Sequence, residues 1–369
     1  MKALLLGDVS PTIENCEYFE TCDIPALFTD TLPLFEGNDI NLVNMECALT
    51  DTPSPIEKIG PAISAPTATA KVMQSVGVNY CTLSNNHFFD HGIAGVKSGL
   101  AALQAAGITT TGFGENYQDS RRNLVIEKNG EKITIVAVCE HEYTYALEDR
   151  MGSRPFDEID TLEDIREAKK AADRVIVLYH GGKEMCRYPS PRLVKVCRAM
   201  IRAGADVVLG QHSHCIGCYE NYKGGHILYG QGNFHFVKAT KDPANQDMWD
   251  TSLAVHYDTK TNEIAFTPIT RAGETAPGIT LAKGNLKQRL LEEFSQRNAQ
   301  ILDGSWYEGW VEFCESKREI YTRVLSNAFK EESTERQNQL FAHYLDCEAH
   351  SDVWRQLFQT WNHTNEKEA

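Results

Sequence analysis

Long apolar runs are missing from this sequence. The best of them, Met1 to Asp8, is a few residues long and ends in a charge. A spanning helix needs about 20 apolar residues and a signal segment at least about 7, so the reading expects a soluble, cytoplasmic chain with no membrane segment. Basic residues are also in deficit, with 36 Lys and Arg against 51 Asp and Glu, a formal charge of −15. Proteins that grip a phosphate backbone neutralise it with clustered cations, so no nucleic-acid partner is expected, and a nucleic-acid-directed phosphoesterase ranks last among the readings. Cys215 and Cys218 form a C-x-x-C, but no second pair sits at zinc-ribbon spacing. The eleven cysteines, odd in number and scattered through apolar runs (Cys81, Cys139, Cys197), read as reduced core thiols. Gly112-Phe-Gly114 is too short for a dinucleotide fingerprint and reads as a turn. No internal repeat or low-complexity tract is evident.

A hydrophobic content of 42% is enough for a real core. Through about residue 270, short apolar runs alternate with helical patterns, which predicts an α/β fold. Strands are expected at Ala3 to Leu6, Ile40 to Met45, Tyr80 to Leu83, Arg174 to Tyr179 and Ala205 to Leu209, and helices at Pro66 to Val76, Ile93 to Ala106 and Pro191 to Ala203. A charged helix is expected over Thr161 to Asp173, with Thr161 and Asp164 in capping-box spacing. Asn129-Gly130 marks the clearest hairpin, and two more are expected around Lys223–Gly225 and Thr259–Asn262. After about Thr280 the β-rich runs stop. Aromatic residues, including four of the five tryptophans, then recur at helical spacing among charges, as a packing stripe would. The division expected is 1–280 for an α/β domain and 281–369 for a helical appendage, with 362–369 frayed. The appendage is a candidate surface for a protein partner or self-association.

Five of the expected strands end in metal-capable side chains: Asp8; Asn44 with Glu46; Asn86 with His87; His180; and His212 with His214. In open α/β sheets the ligand crevice lies beyond the carboxyl ends of the strands, so these distant residues can converge there. In an extended segment His212 and His214 would point the same way. A His, Asp, Glu and Asn donor set suits one or two divalent ions such as Mn²⁺, Fe²⁺ or Zn²⁺. Glu184 and Arg187, which follow His180, are candidates to face a substrate, and Asn233 either bonds near the site or caps a turn.

The ordered blocks Gly7-Asp8, Asn41 to Thr50, Ser84 to Gly92, Gly112 to Asn116, His180 to Glu184, Gly204 to His214 and Tyr229 to Phe234 resemble the calcineurin-like metallophosphatase superfamily. More closely, they are similar to the CapA family, named for bacterial poly-γ-glutamate capsule synthesis. The resemblance covers about residues 1–257 and implies a four-layer αββα sandwich. It places Asp8 and His214 on a first metal, Asn86, His180 and His212 on a second, and Glu46 on both. His87 becomes the proton donor or charge stabiliser at the leaving oxygen, Asp90 a carboxylate that orients a neighbouring histidine, and Asn44, Glu184 and Asn233 weaker candidates for substrate contact. Where the superfamily has Asp-x-His, this chain has Asp8-Val9-Ser10, so one imidazole is missing. The chemistry implied is hydrolysis of a phosphoester by metal-activated water, on an anionic small molecule or polymer. Hydrolysis of a γ-glutamyl amide, and a non-catalytic binding or assembly role, are the alternatives.

Overall fold

The structure is a computed structural model that describes residues 1–240 and 243–359. The expected fraying of 362–369 lies outside the described residues. Two sheets stack face to face with helices on both outer sides. The first orders its strands Ile279–Leu281, Glu263–Arg271, Thr251–Asp258, Lys2–Val9, Ile40–Met45, Tyr80–Thr82 and Thr109–Thr111, and Asn233–His235 pairs with the end of Lys2–Val9. The second runs Tyr219–Tyr222, Gly225–Leu228, Val207–Gln211, Arg174–His180, Glu131–Cys139 and Leu124–Lys128.

Strand periodicity explains the four layers. Side chains alternate across a pleated strand, and here both faces are apolar. Ala3, Leu5, Ile40 and Leu42 of the first sheet meet Ile133, Ile135, Ile176, Leu178, Val207 and Leu209 of the second in one buried cluster. The intervening Leu4, Leu6, Val43 and Met45 face outward into a cluster with helices Ala68–Ser75 and Gly92–Ala105. On the far side Val136, Val138, Val175 and Val177 pack on helices Glu158–Ala171 and Pro191–Ala203. The expected α/β, αββα class is therefore the architecture of the chain.

The three expected hairpins are antiparallel pairs. Two local expectations need correction. The charged helix begins at Glu158, not Thr161, because Asp157 is the N-cap and accepts from the amides of Ile159 and Asp160. The first strand does not stop before Gly7-Asp8 but runs through them. A Cβ on Gly7 would lie 2.0 Å from the Gly232 carbonyl oxygen, so only glycine lets the two segments pair so closely. All eleven cysteines are free.

From 284 to 359 the chain is helical: Gly284–Asp303, Trp306–Ala328, Glu335–Asp346 and Glu348–Gln359. The aromatic stripe is packing, as expected. Trp310, Tyr321, Val353 and Leu357 bury one another against Cys186 and Cys314. Leu290 and Phe294 of the first of these helices close the cluster between the sheets. Among the described residues, no helix is long and apolar enough to cross a membrane.

Candidate metal centre

Lys2–Val9, Ile40–Met45 and Tyr80–Thr82 run parallel in one sheet, and Glu131–Cys139, Arg174–His180 and Val207–Gln211 in the other. Their carboxyl ends therefore open on one side, and the expected residues meet there. Glu46 belongs to two compact groups, one with Asp8 and His180 and one with His212 and His214. In each group the ligand atoms lie within 4.8 Å of one another. These groups cross the partition implied by the resemblance, which paired Asp8 with His214 and His180 with His212.

The cluster is almost sealed. Asp8, Asn44 and Glu46 are fully buried, and His180, His212 and His214 nearly so. Asn44 links two members: its Nδ2 donates to Asp8 Oδ1 at 2.7 Å and lies 3.0 Å from His180 Nδ1, while its Oδ1 accepts from Asn85 at 3.0 Å. Asn86 Oδ1 is 3.0 Å from His180 Nε2. Asn233 Oδ1 is 2.8 Å from His214 Nδ1, so it bonds within the cluster, and the His214 ring lies against Trp249 with centroids 4.5 Å apart.

Glu46 tests whether these residues fit a cation. Both of its carboxylate oxygens are buried without a hydrogen-bond partner. The nearest basic atoms are His180 Nε2 at 3.3 Å and His214 Nε2 at 3.9 Å. His212 Nδ1 is likewise buried and unpartnered. Buried ions are ordinarily paired or bound to metals, and these orphaned atoms are the ones a divalent ion would engage. Burial, with the Glu46 charge adding to it, raises the carboxyl pKa of Asp8 above the usual range. Burial, with His212 beside it, pushes the His180 pKa well below 6.5, which leaves a neutral ring with a lone pair to offer. Burial opposes the charge of His212 too, but Glu142, Glu184 and Glu46 outweigh it and raise that pKa to about 10, so His212 gives up a proton when an ion binds. Two buried acids beside a neutral His180 form a donor set that fits a divalent cation.

His87 follows Asn86 in the chain and pairs with Asp90, His87 Nδ1 lying 2.6 Å from Asp90 Oδ2. Asp90 also accepts from the Ile63 amide at 2.7 Å and forms a tight ion pair with Lys58, whose Nζ lies 3.3 Å from His87 Nδ1. Glu184 is an exposed residue whose carboxyl faces Lys183, His212 and His214. Protein crowded around the carboxyl opposes its charge although the residue as a whole is open to solvent, but these neighbours hold its pKa below the ordinary value. Arg187 does not face the cluster; it pairs with Glu293 at 3.1 Å and Asp247 at 3.7 Å.

Two readings of the sequence are corrected. His212 and His214 are not in an extended segment: their φ angles are +78° and +54°, left-handed at both. Their rings still converge, with centroids 5.8 Å apart, because the chain coils tightly just past the strand end at Gln211. Glu142 was missed. Its Oε2 accepts from Asn86 Nδ2 at 2.8 Å and its Oε1 lies 3.3 Å from His212 Nε2. The signal was present, since Glu140-His141-Glu142 follow the carboxyl end of Glu131–Cys139, a sixth parallel strand with polar residues beyond it. Lys58 had no such signal, being in a loop.

The family model "Bacterial capsule synthesis protein PGA_cap" matches residues 2–238. "Capsule biosynthesis protein CapA" of Bacillus anthracis is 32% identical over 191 residues, covering 49% of this chain and 46% of the relative. "PGA biosynthesis protein CapA" of Bacillus subtilis is 30% identical over 232 residues, 60% of this chain and 58% of the relative. The matches thus span about half the length of these relatives. A solved structure, a novel phosphatase of Mycoplasma pneumoniae, aligns over 78% of this chain and 96% of its own at 14% identity, with a TM-score of 0.45. Matched over more than half of its length, the chain belongs to the PGA_cap family of bacterial capsule synthesis proteins.

Proposed function

We propose that this protein is a metal-dependent hydrolase acting on an anionic phosphoester. The observation that carries the reading is Glu46, a fully buried carboxylate with no hydrogen-bond partner, shared by two groups of ligand atoms. Asp8, Glu46, Asn86, His180, His212 and His214 would hold one or two divalent ions of Mn, Fe or Zn. Bound there, such ions supply Lewis acidity and a water acidic enough to attack at neutral pH. The chain's own residues do the rest. His87 donates a proton to the departing oxygen; Asp90 orients its ring through Nδ1, and Lys58 adds positive charge beside it. Glu184, whose carboxyl faces Lys183, His212 and His214, is the candidate for substrate contact.

The net charge of −15 does not oppose an anionic substrate locally, because bound cations invert the field of the pocket. The names of the two Bacillus relatives support a substrate from capsule or poly-γ-glutamate metabolism, with hydrolysis of a γ-glutamyl amide as the alternative reaction such a centre would support. One observation favours a binding or assembly role instead: Ser10 replaces an expected imidazole, and its Oγ is buried and unpartnered. A screen of phosphomonoesters, phosphodiesters and γ-glutamyl amides, each with Mn²⁺, Fe²⁺ or Zn²⁺, tests the proposal. Ion-dependent turnover that is lost in His180→Ala and His212→Ala is expected. Silence of an ion-loaded protein towards every substrate would replace hydrolysis with the binding role.

A further inference from the structure

We propose that Glu142 is a positioning residue of the metal centre, and that Cys347 ties the C-terminal helices to that centre through it. The inference rests on the metal-centre reading above and adds to it a carboxylate outside the ligand set.

Glu142 commits each oxygen to a different member of the cluster. Oε2 accepts from Asn86 Nδ2 at 2.8 Å. A carboxamide bound through its nitrogen has its oxygen turned the other way, and Asn86 Oδ1 duly faces His180 Nε2 at 3.0 Å. The oxygen is the only end of an amide that ligates a hard or borderline cation. Glu142 Oε1 lies 3.3 Å from His212 Nε2. An imidazole that directs Nε2–H at a carboxylate presents Nδ1 as its lone pair, and Nδ1 of His212 is the buried nitrogen without a partner in the protein. One carboxylate therefore sets which atom two ligands offer, the arrangement by which outer carboxylates orient metal-binding histidines.

Glu142 is itself held from far along the chain. Cys347, wholly buried, is the one residue between helices Glu335–Asp346 and Glu348–Gln359, and its Sγ–H donates to Glu142 Oε1 at 3.5 Å. The contacts on either side seat this turn on the same loop. His141 Nδ1 lies 2.6 Å from Glu348 Oε1, and the His141 amide donates to Glu348 Oε2 at 2.8 Å. Tyr145 Oη donates to Asp346 at 2.9 Å, and the Ala349 amide donates to Glu140 at 3.2 Å. The ligand set comes from the sandwich, but its alignment also depends on the last helices.

The test is direct ion binding to the full chain after chelation, following Mn²⁺ by its free-ion EPR signal and Co²⁺ by its visible absorption. Glu142→Gln keeps shape and removes charge. It should weaken Mn²⁺ binding by about 10- to 100-fold and alter the Co²⁺ bands of the folded protein, whatever the change in melting midpoint in chelator. A role in stability alone would move the midpoint and leave the Co²⁺ spectrum of the folded protein unchanged. Cys347→Val, which removes the donor, should weaken Mn²⁺ binding in the same direction, and Cys347→Ser, which keeps one, should not. Wild-type affinity and spectrum in Glu142→Gln would overturn the proposal. Should that variant not fold, wild-type affinity in Cys347→Val would overturn it and weakened affinity would support it. A wild-type protein that takes up neither ion would remove the metal centre altogether, and the proposal with it. Normal uptake by wild type and variants alike would remove the proposal only.

Discussion

Replacing Glu46 with Gln should make the ion-free protein at least as stable as wild type, and the ion-loaded protein less so. Asp8 and Glu46 have ligand atoms within 4.8 Å of each other, and both residues are fully buried. At that separation and an effective dielectric of about 20, two like charges repel by about 3 kcal/mol. In the ion-free protein burial keeps His180 neutral and Glu46 has no hydrogen-bond partner to lose, so the offset comes from His212, whose burial opposes its charge but which Glu142, Glu184 and Glu46 keep charged. A buried glutamine amide still needs partners, so the net gain lies between zero and about 3 kcal/mol. With ion at 100 times its dissociation constant, wild type should gain about 2.7 kcal/mol and Glu46→Gln almost nothing. Urea unfolding followed by tryptophan fluorescence, in chelator and then in Mn²⁺, reads both differences. The reasoning fails if Glu46→Gln in chelator is less stable than wild type by more than about 1 kcal/mol, since the carboxylate would then have had a favourable partner.

Other outcomes follow from the same contacts. His87→Asn should slow turnover by about 10²- to 10⁴-fold with ion content unchanged; loss of the ion by elemental analysis would make His87 a ligand instead. Arg192 lies between Glu140 at 2.5 Å and Asp352 at 2.9 Å. Arg192→Met leaves buried Glu140 without its cation and Asp352 with only Arg355 at 3.4 Å, and should cost about 3–5 kcal/mol in urea unfolding, a change under 1 kcal/mol being the contrary result. Burial disfavours the charged form of His141, but Glu348, with Asp346 and Glu140 nearby, outweighs this and raises its pKa. The stabilisation is then complete below about pH 6.5 and lost as pH rises through the higher folded value. Amide exchange at 347–351, corrected for its intrinsic pH dependence, should therefore lose protection above neutrality in wild type and not in Glu348→Gln. Protection that is flat with pH in wild type would contradict the pairing.

Much of the fold was legible because its signals are local. Apolar runs of four to six residues ending in Asp8, Glu46, His180 and Gln211-His212 mark buried parallel strands, and the turn chemistry of Asn129-Gly130 marks the hairpin. The misreadings share a cause. The start of helix Glu158–Ala171 depended on which of several nearby acids caps it, a choice among near-equal candidates that the chain direction at Asp157 settles. The His212-Ser213-His214 spacing was informative, but strand geometry was extended two residues past the strand, into left-handed backbone. Lys58 and Cys347 carried no signal, because each meets its partner across a loop or helix turn with no period of its own.

The sequence by itself determined the α/β alternation, the strands and the side on which the polar residues gather, and the family resemblance added the four layers. Periodicity and strand polarity are properties of a few consecutive residues, and every parallel strand presents its carboxyl end to the same side. Only the tertiary structure decided which atoms face one another: that Glu46 is left without a partner, that Glu142 takes Asn86 and His212, and that the last helices reach the cluster through Cys347. Those contacts join residues up to 205 positions apart. They depend on how two sheets and a helical segment stack, which no window of the sequence contains.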